Sequence, residues 1–302
     1  MRMKNILITV VLFLSSIAHS FEITEKTINV IIPFPPGGGV DQTFRHLQKY
    51  SAERGVTMIG IYKPGADGLI GMNALSKAPT DGYNIAIGTT GTIATYQIKN
   101  NTDNLIPLIG IRNSMSAVVV NSNSPIKTFE EYEYAIKNDP KFNFGFGAPG
   151  QRMLITQLTE MMKVTNKPMM IPYKGGAQVI TDLLGGHITS AMVPFNIVAN
   201  HIESGALRLI AINADSTLSK YPNVTLLQKK YPAWQDFDWY CLVLPPDTPA
   251  HIRKTWFEFM RQYLSDPIVL EEFKQEYAEP VSKDQKNAEA TVKTFIKRNI
   301  LN

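Results

Sequence analysis

The stretch Val30-Ile31-Ile32-Pro33-Phe34-Pro35-Pro36-Gly37-Gly38-Gly39-Val40-Asp41 constrains this chain most, because an apolar β-branched run stops at a Pro/Gly turn and an amphipathic helix follows. Val40, Phe44 and Leu47 fall at i, i+4 and i+7, one apolar stripe, with Gln42, Arg45, Gln48 and Lys49 on the opposite side. Strand, loop and helix N-terminus are thus predicted in one place. Gly38 and Gly39 let a ligand approach the backbone closely, and the first N–H groups of a helix have no partner within it, so this end attracts anions. The rings of Pro33, Pro35 and Pro36 stiffen the loop and lower the entropic cost of holding those donors in place.

The pattern recurs along the chain. Thr57–Tyr62 runs as a strand into Lys63-Pro64-Gly65-Ala66-Asp67-Gly68, with a helix over Leu69–Lys77, and Tyr83–Ile87 runs into the hydroxyl-rich Gly88-Thr89-Thr90-Gly91-Thr92. Ala117–Asn121 reads as a buried strand, after which Asn121-Ser122-Asn123-Ser124-Pro125 marks a crossing into a second unit. Thr128-Phe129-Glu130-Glu131 has the spacing of a capping box and opens a helix. Phe142–Phe146 then leads into Gly147-Ala148-Pro149-Gly150-Gln151-Arg152 and a helix, and Met169–Ile171 into Pro172-Tyr173-Lys174-Gly175-Gly176 and another. Strand Ile188–Val193, helix Ile197–Ser204 and strand Leu207–Asn213 follow, then an irregular Tyr221–Trp234. Trp239–Leu244 is a strand leading back, and helices over Pro249–Tyr263, Pro267–Tyr277 and Asp284–Leu301 close the chain. Strands that each leave into a Gly-containing loop and a helix are the pattern of open, mostly parallel sheets whose carboxyl edges carry the site.

A chain of 302 residues with 44% hydrophobic content builds two α/β domains most simply. Residues 1–20 read as a signal peptide: Arg2 and Lys4, the apolar run Ile6–Ile17, then Ala18-His19-Ser20 with small residues where a signal peptidase cuts. The expected mature chain starts at Phe21, has no Cys there to carry a lipid, and contains no apolar stretch long enough to span a membrane. It holds 28 basic against 26 acidic residues, a balance that does not point to nucleic acid. Cys241, the only cysteine, sits in an apolar strand and reads as a buried thiol.

Signatures of catalysis and cofactor binding are weak or absent. Gly145-Phe146-Gly147-Ala148-Pro149-Gly150 matches G-x-G-x-x-G, but Pro149 removes an N–H, and about 20 residues on stand Met169 and Met170 rather than an acid for a ribose. His46, His187, His201 and His251 share no metal-ligand spacing, and no phosphate-loop, G-x-S-x-G or H-E-x-x-H motif occurs. No cofactor, metal or catalytic residue is therefore expected. Four positions carry two readings each. Tyr173 and Lys174 either meet a carboxylate or pack on the sheet and face water; Asp41 either touches a ligand amine or stabilises the first turn of its helix; Arg152 either enters the site or faces solvent.

Taken together, Ile31–Asp41, Lys63–Gly71, Ala78-Pro79-Thr80-Asp81-Gly82-Tyr83 and Pro172–Gly176 resemble the Bug family, periplasmic solute-binding proteins of tripartite tricarboxylate transporters. The likeness extends through Asp182-Leu183-Leu184-Gly185-Gly186, His201–Leu207 and Leu244-Pro245-Pro246-Asp247-Thr248-Pro249. It implies a type II periplasmic binding protein without catalytic activity, a monomer of two lobes with a small organic carboxylate in the cleft between them, delivered to membrane subunits or, alternatively, presented to a sensor kinase. The expected first lobe comprises residues 21–121 and 236–302, and the second 122–235. The resemblance places Phe34, Gly38, Gly39 and Asp41 in one clamp and Gly147, Ala148, Gly150, Gln151 and Arg152 in the other, with Thr89, Thr90, Tyr173 and Gly175 lining the same cleft. Ala148-Pro149-Gly150-Gln151-Arg152 departs from the family's hydroxyl-rich second loop, and Val193-Pro194 stands where relatives often carry an Asp. These departures favour a plain mono- or dicarboxylate over an amino acid, with Arg152 as the replacement donor.

Overall fold

The computed structural model describes residues 21–113, 115–214, 218, 220–234, 239–276, 278–281 and 285–301, so the signal-peptide reading of residues 1–20 lies outside it. Its strands are β1 (Ile28–Ile32), β2 (Met58–Tyr62), β3 (Asn84–Thr89), β4 (Ile106–Asn113), β5 (Ser116–Asn121), β6 (Asn143–Phe146), β7 (Met169–Pro172), β8 (Ser190–Pro194), β9 (Leu207–Ile212), β10 (Thr225–Leu226) and β11 (Trp239–Leu244). The α-helices are α1 (Gly39–Ala52), α2 (Leu69–Ser76), α3 (Thr90–Asn100), α4 (Phe129–Asn138), α5 (Pro149–Met161), α6 (Gly176–Leu184), α7 (Phe195–Glu203), α8 (Leu227–Lys230), α9 (Ala250–Ser265), α10 (Pro267–Gln275) and α11 (Gln285–Leu301).

Two sheets organise the molecule, a five-stranded one in the order β2-β1-β3-β11-β4 and a six-stranded one in the order β10-β9-β5-β8-β6-β7. Both are mixed. β1 runs parallel to β2 and β3, whereas β11 runs antiparallel to β3 and β4; in the other sheet β5 is antiparallel to β8 and β9. Strand β4 was not expected from the sequence. Its neighbour β5 pairs with β8 and β9, so the strand assigned to the first lobe, Ala117–Asn121, is built into the second sheet and the chain crosses between Asn113 and Ser116.

The strands at the centre are continuous apolar runs because helices cover both of their faces. Along β5, Val118 and Val120 face a core with α4 and α5, while Ala117 and Val119 face one with α6 and α7. Around the five-stranded sheet, Val30 and Ile32 meet Phe44 and Leu47 of α1 and Trp256 of α9, and Ile31 meets Met72 of α2 and Ile93 of α3 on the opposite face. Helix α4 starts at the capping box its sequence predicts: Thr128 Oγ1 accepts from Glu131 N–H at 3.2 Å and the Glu131 carboxylate accepts from Thr128 N–H at 3.2 Å.

Helix α1 is seated by a charged network as well as by its apolar stripe. Arg112, 1% exposed at the end of β4, donates from Nε to Thr43 Oγ1 at 2.9 Å and from Nη1 to Glu276 at 2.6 Å. Thr43 in turn donates to the Gly39 carbonyl at 2.8 Å. His46 lies between Glu276, 2.6 Å from Nε2, and Glu272, 3.1 Å from Nδ1, and Lys49 donates to Glu272 at 2.6 Å. Two carboxylates facing both ring nitrogens call for two N–H donors, which only the imidazolium supplies.

Candidate functional site

The carboxyl ends of the two sheets face one another across a narrow cleft that encloses a cavity of about 30 Å³, and five helices begin at its wall. From one side come Phe34, Gly38, Gly39 and Val40 at the head of α1 and Thr89 before α3; from the other come Gly147, Ala148 and Gln151 of α5, Gly175 and Gly176 of α6, and Pro194 and Ile197 of α7. Tyr240 of β11 completes the lining.

How these helices start decides what the cleft can hold. Thr89 closes α3 with its own side chain, accepting from Thr92 N–H at 3.1 Å. The residues before α1, α5, α6 and α7 are Gly38, Ala148, Gly175 and Pro194, and none offers a side-chain cap. Helices α4 and α10, away from the cleft, are capped by Thr128 and Asp266. Helix α9 is also entered without a cap, at Pro249, so the absence of a cap alone marks nothing; the convergence of four such ends does. Their first N–H groups and the positive ends of their dipoles point toward one small volume, an arrangement suited to an anion.

A second regularity keeps these donors in place. In three loops the N–H just before the cap is held by the side chain four residues on: Gly37 by Asp41 at 2.8 Å, Gly147 by Gln151 at 2.7 Å and Lys174 by Gln178 at 3.2 Å. Each loop is thereby fixed from outside while the helix's own leading N–H groups stay available. Gly147 is required for a separate reason, since a Cβ there would lie 2.5 Å from the Gly175 carbonyl carbon. Two loops of the second sheet thus touch backbone to backbone.

The two sides also meet directly. Ala148 packs into the core of the five-stranded sheet, Asn196 of α7 donates a hydrogen bond to Gln42 of α1, and Pro35 stands against Gly175.

Eight of the thirteen residues expected at the site line the cleft: Phe34, Gly38, Gly39, Thr89, Gly147, Ala148, Gln151 and Gly175. Asp41, Thr90, Gly150, Arg152 and Tyr173 do not. Asp41 is 2% exposed, and its carboxylate is fully engaged by Gly37 N–H, Arg45 at 3.0 Å and the Tyr62 hydroxyl at 2.5 Å. Burial pushes its pKa up, but those three donors outweigh it and hold the carboxyl below its ordinary value. Thr90 is buried and accepts from Trp239 N–H at 3.4 Å, and Gly150 is buried in the first turn of α5. Tyr173 lines an adjoining groove with Asp67 and Lys174, and its hydroxyl donates to Asp182 at 2.7 Å. Burial and Asp182 together raise its pKa to about 12. Arg152, expected to replace lost donors, is exposed and outside the cleft lining, because α5 begins at Pro149 and turns Gln151 inward, leaving Arg152 a helical step round on the solvent side.

Val40, Gly176, Pro194, Ile197 and Tyr240 were not expected. The junction at Pro194 has the same strand-to-helix form as the others but no glycine to announce it, and Tyr240 lies in an apolar strand run with no local signal at all. A larger open recess of about 370 Å³, where the chain crosses between the sheets at Asn113, Asn213, Trp234 and Trp239, receives none of the four uncapped helix ends.

Among the described residues no helix is long and apolar enough to cross a membrane, and no cluster of three metal-ligating side chains occurs. Known proteins supply the remaining constraint. The model of the tripartite tricarboxylate transporter family receptor matches residues 43–300. Protein BugT of Bordetella pertussis is 26% identical over 297 residues, covering 93% of this chain and 91% of BugT. Rpa4515 of R. palustris, solved with adipate, superposes with a TM-score of 0.80 at 21% identity, over 90% of this chain and 94% of that one. MatC of Rhodopseudomonas palustris, solved with bound malate, gives 0.80 at 18% identity, over 90% and 97%. With two α/β sheets facing across a cleft and a family match spanning most of its length, the chain belongs to the tripartite tricarboxylate transporter receptors, periplasmic binding proteins rather than enzymes.

Proposed function

We propose that this protein captures a small organic carboxylate, a mono- or dicarboxylate, between its two lobes in the periplasm and delivers it to the membrane subunits of a tripartite transporter. The observation that carries the reading is the convergence of four uncapped helix N-termini, one from the first sheet's side and three from the second's, on a cleft with no Lys, Arg or His in its lining. Recognition of negative charge then rests on main-chain N–H groups, whose dipoles are strongest for the ligand when both sides close and water leaves. The lining of Phe34, Val40, Ala148, Pro194 and Ile197 suits a short hydrocarbon linker between charged ends. Relatives of the same fold solved with adipate and with malate support a dicarboxylate as the ligand class.

A thermal-shift screen against mono-, di- and tricarboxylates tests the reading. A ligand present at 100 times its dissociation constant stabilises the folded form by about 2.7 kcal/mol, enough for a clear rise in Tm. A panel in which amino acids or sugars raise Tm and no carboxylate does would overturn it.

A further inference from the structure

Tyr240 lines the cleft beside the main-chain helix ends and differs from them in origin, since it projects from β11, the strand that returns from the second sheet, rather than from a loop before a helix. It is 3% exposed and fixed on both edges of its strand, opposite Thr89 of β3 and Arg112 of β4. The Arg112 guanidinium lies 5.6 Å from its ring centroid. Its hydroxyl stands over Gly39 so closely that a Cβ there would overlap it, and the Pro194 ring would come within 3.4 Å of the same Cβ. The Tyr240 O–H therefore stands where α1 and α7 begin, among the N–H groups that await the anion.

Building on the carboxylate reading above, we infer that Tyr240 contacts the ligand and sets the length of chain the cleft accepts. Its hydroxyl donates to a carboxylate oxygen held at the head of α1, a charge-assisted bond, and its ring is the wall that ends the cleft on that side. The neighbouring guanidinium polarises the phenol toward donation. Pairing of β11 on both edges stops the ring from retreating before a longer guest, so length is discriminated by a rigid surface.

Titration calorimetry of the purified protein with succinate, glutarate and adipate tests this, using wild type, Tyr240→Phe and Tyr240→Ala. The Phe variant keeps the wall and loses the donor, so it should weaken binding about tenfold for every member the wild type binds and leave their order unchanged. The Ala variant removes the wall and should move the preference to a longer member. Circular dichroism and thermal unfolding verify that each variant is folded, and if the Ala variant is not, the Phe variant decides. Affinity of Tyr240→Phe within twofold of wild type for all members overturns the proposal, as does a folded Ala variant with the wild-type order. Wild-type protein that binds none of the three defeats the dicarboxylate reading and this proposal with it, whereas wild-type binding beside an unaffected Phe variant defeats this proposal alone.

Discussion

At the scale of single residues, the contrast between Gln151 and Arg152 shows how one helical step separates a cleft residue from a surface one. The sequence marks Arg152 as the strong cation of its loop, but which way it faces depends on where the helix begins, and Pro149 in the first position turns Gln151 inward. Arg152→Met should therefore change carboxylate affinity less than twofold by titration calorimetry, since an exposed Arg contributes little. A loss of tenfold or more would return Arg152 to the site. Backbone requirements were more legible than side-chain directions. Gly39 was readable as a point of close approach by a ligand and Gly147 was placed at the site by the resemblance; in the fold each presses against a neighbour, one a hydroxyl and the other a peptide. Asp41 was ambiguous in the sequence because its partner Tyr62, 21 residues on, becomes a neighbour only in the fold.

Among elements, the feature that matters is a helix left open at its N-terminus. Gly38 has φ −89° and ψ 174°, the extended geometry of an ordinary N-cap residue, and a Cβ there meets only the Pro35 carbonyl oxygen, at 3.9 Å. Gly38→Asp should therefore cap α1, raising or preserving stability by a few tenths to about 1 kcal/mol. The same carboxylate occupies the donors meant for the ligand, so affinity should fall at least tenfold. Thermal unfolding and titration calorimetry on one preparation read both signs; a variant that binds as wild type would show that α1 is not a clamp. Most elements were visible in sequence as apolar periods broken by Gly and Pro, but β4 was not. Its run Ile-Pro-Leu-Ile-Gly-Ile-Arg-Asn carries Pro107, Gly110 and Arg112, and it forms a strand because it lies at a sheet edge, where a missing N–H is tolerated, and because Arg112 finds Glu276 and Thr43.

For the whole molecule, the network around His46 ties α1, β4 and α10 together and sets a pH range for stability. The hydrogen bond to Glu276 is the main influence raising the His46 pKa above 6.5, so its contribution is complete below about pH 6.5 and is lost as pH climbs through the higher folded value. Glu272 is held below its usual 4.5 chiefly by Lys49; burial opposes the same shift in Glu276, but His46 and Arg112 prevail, so both contributions fade on acidification through that range. Stability from this cluster is greatest between about pH 4.5 and 6.5. Urea unfolding should show His46→Gln losing more stability relative to wild type at pH 6 than at pH 9, and an equal loss at both would mean that the imidazole is uncharged in the fold. None of this was readable in sequence, because His46 and Glu276 are 230 residues apart. The same limit hid which sheet β5 would join, since its pairings with β8 and β9 are equally non-local.

The placement of β11 also has a consequence in time. Within the five-stranded sheet, β4 touches β11 and no other strand, and β11 enters the chain only after every strand of the six-stranded sheet has been made. A growing chain can close its second sheet from one continuous stretch while β4 waits at the edge of an unfinished first sheet. The contacts that join β4 to the rest are thus the last to form, and closing so long a loop is the slow step that such a topology imposes. Tyr240 and Arg112 meet in that same late pairing, so that side of the cleft is laid only after the second sheet's strands have been made.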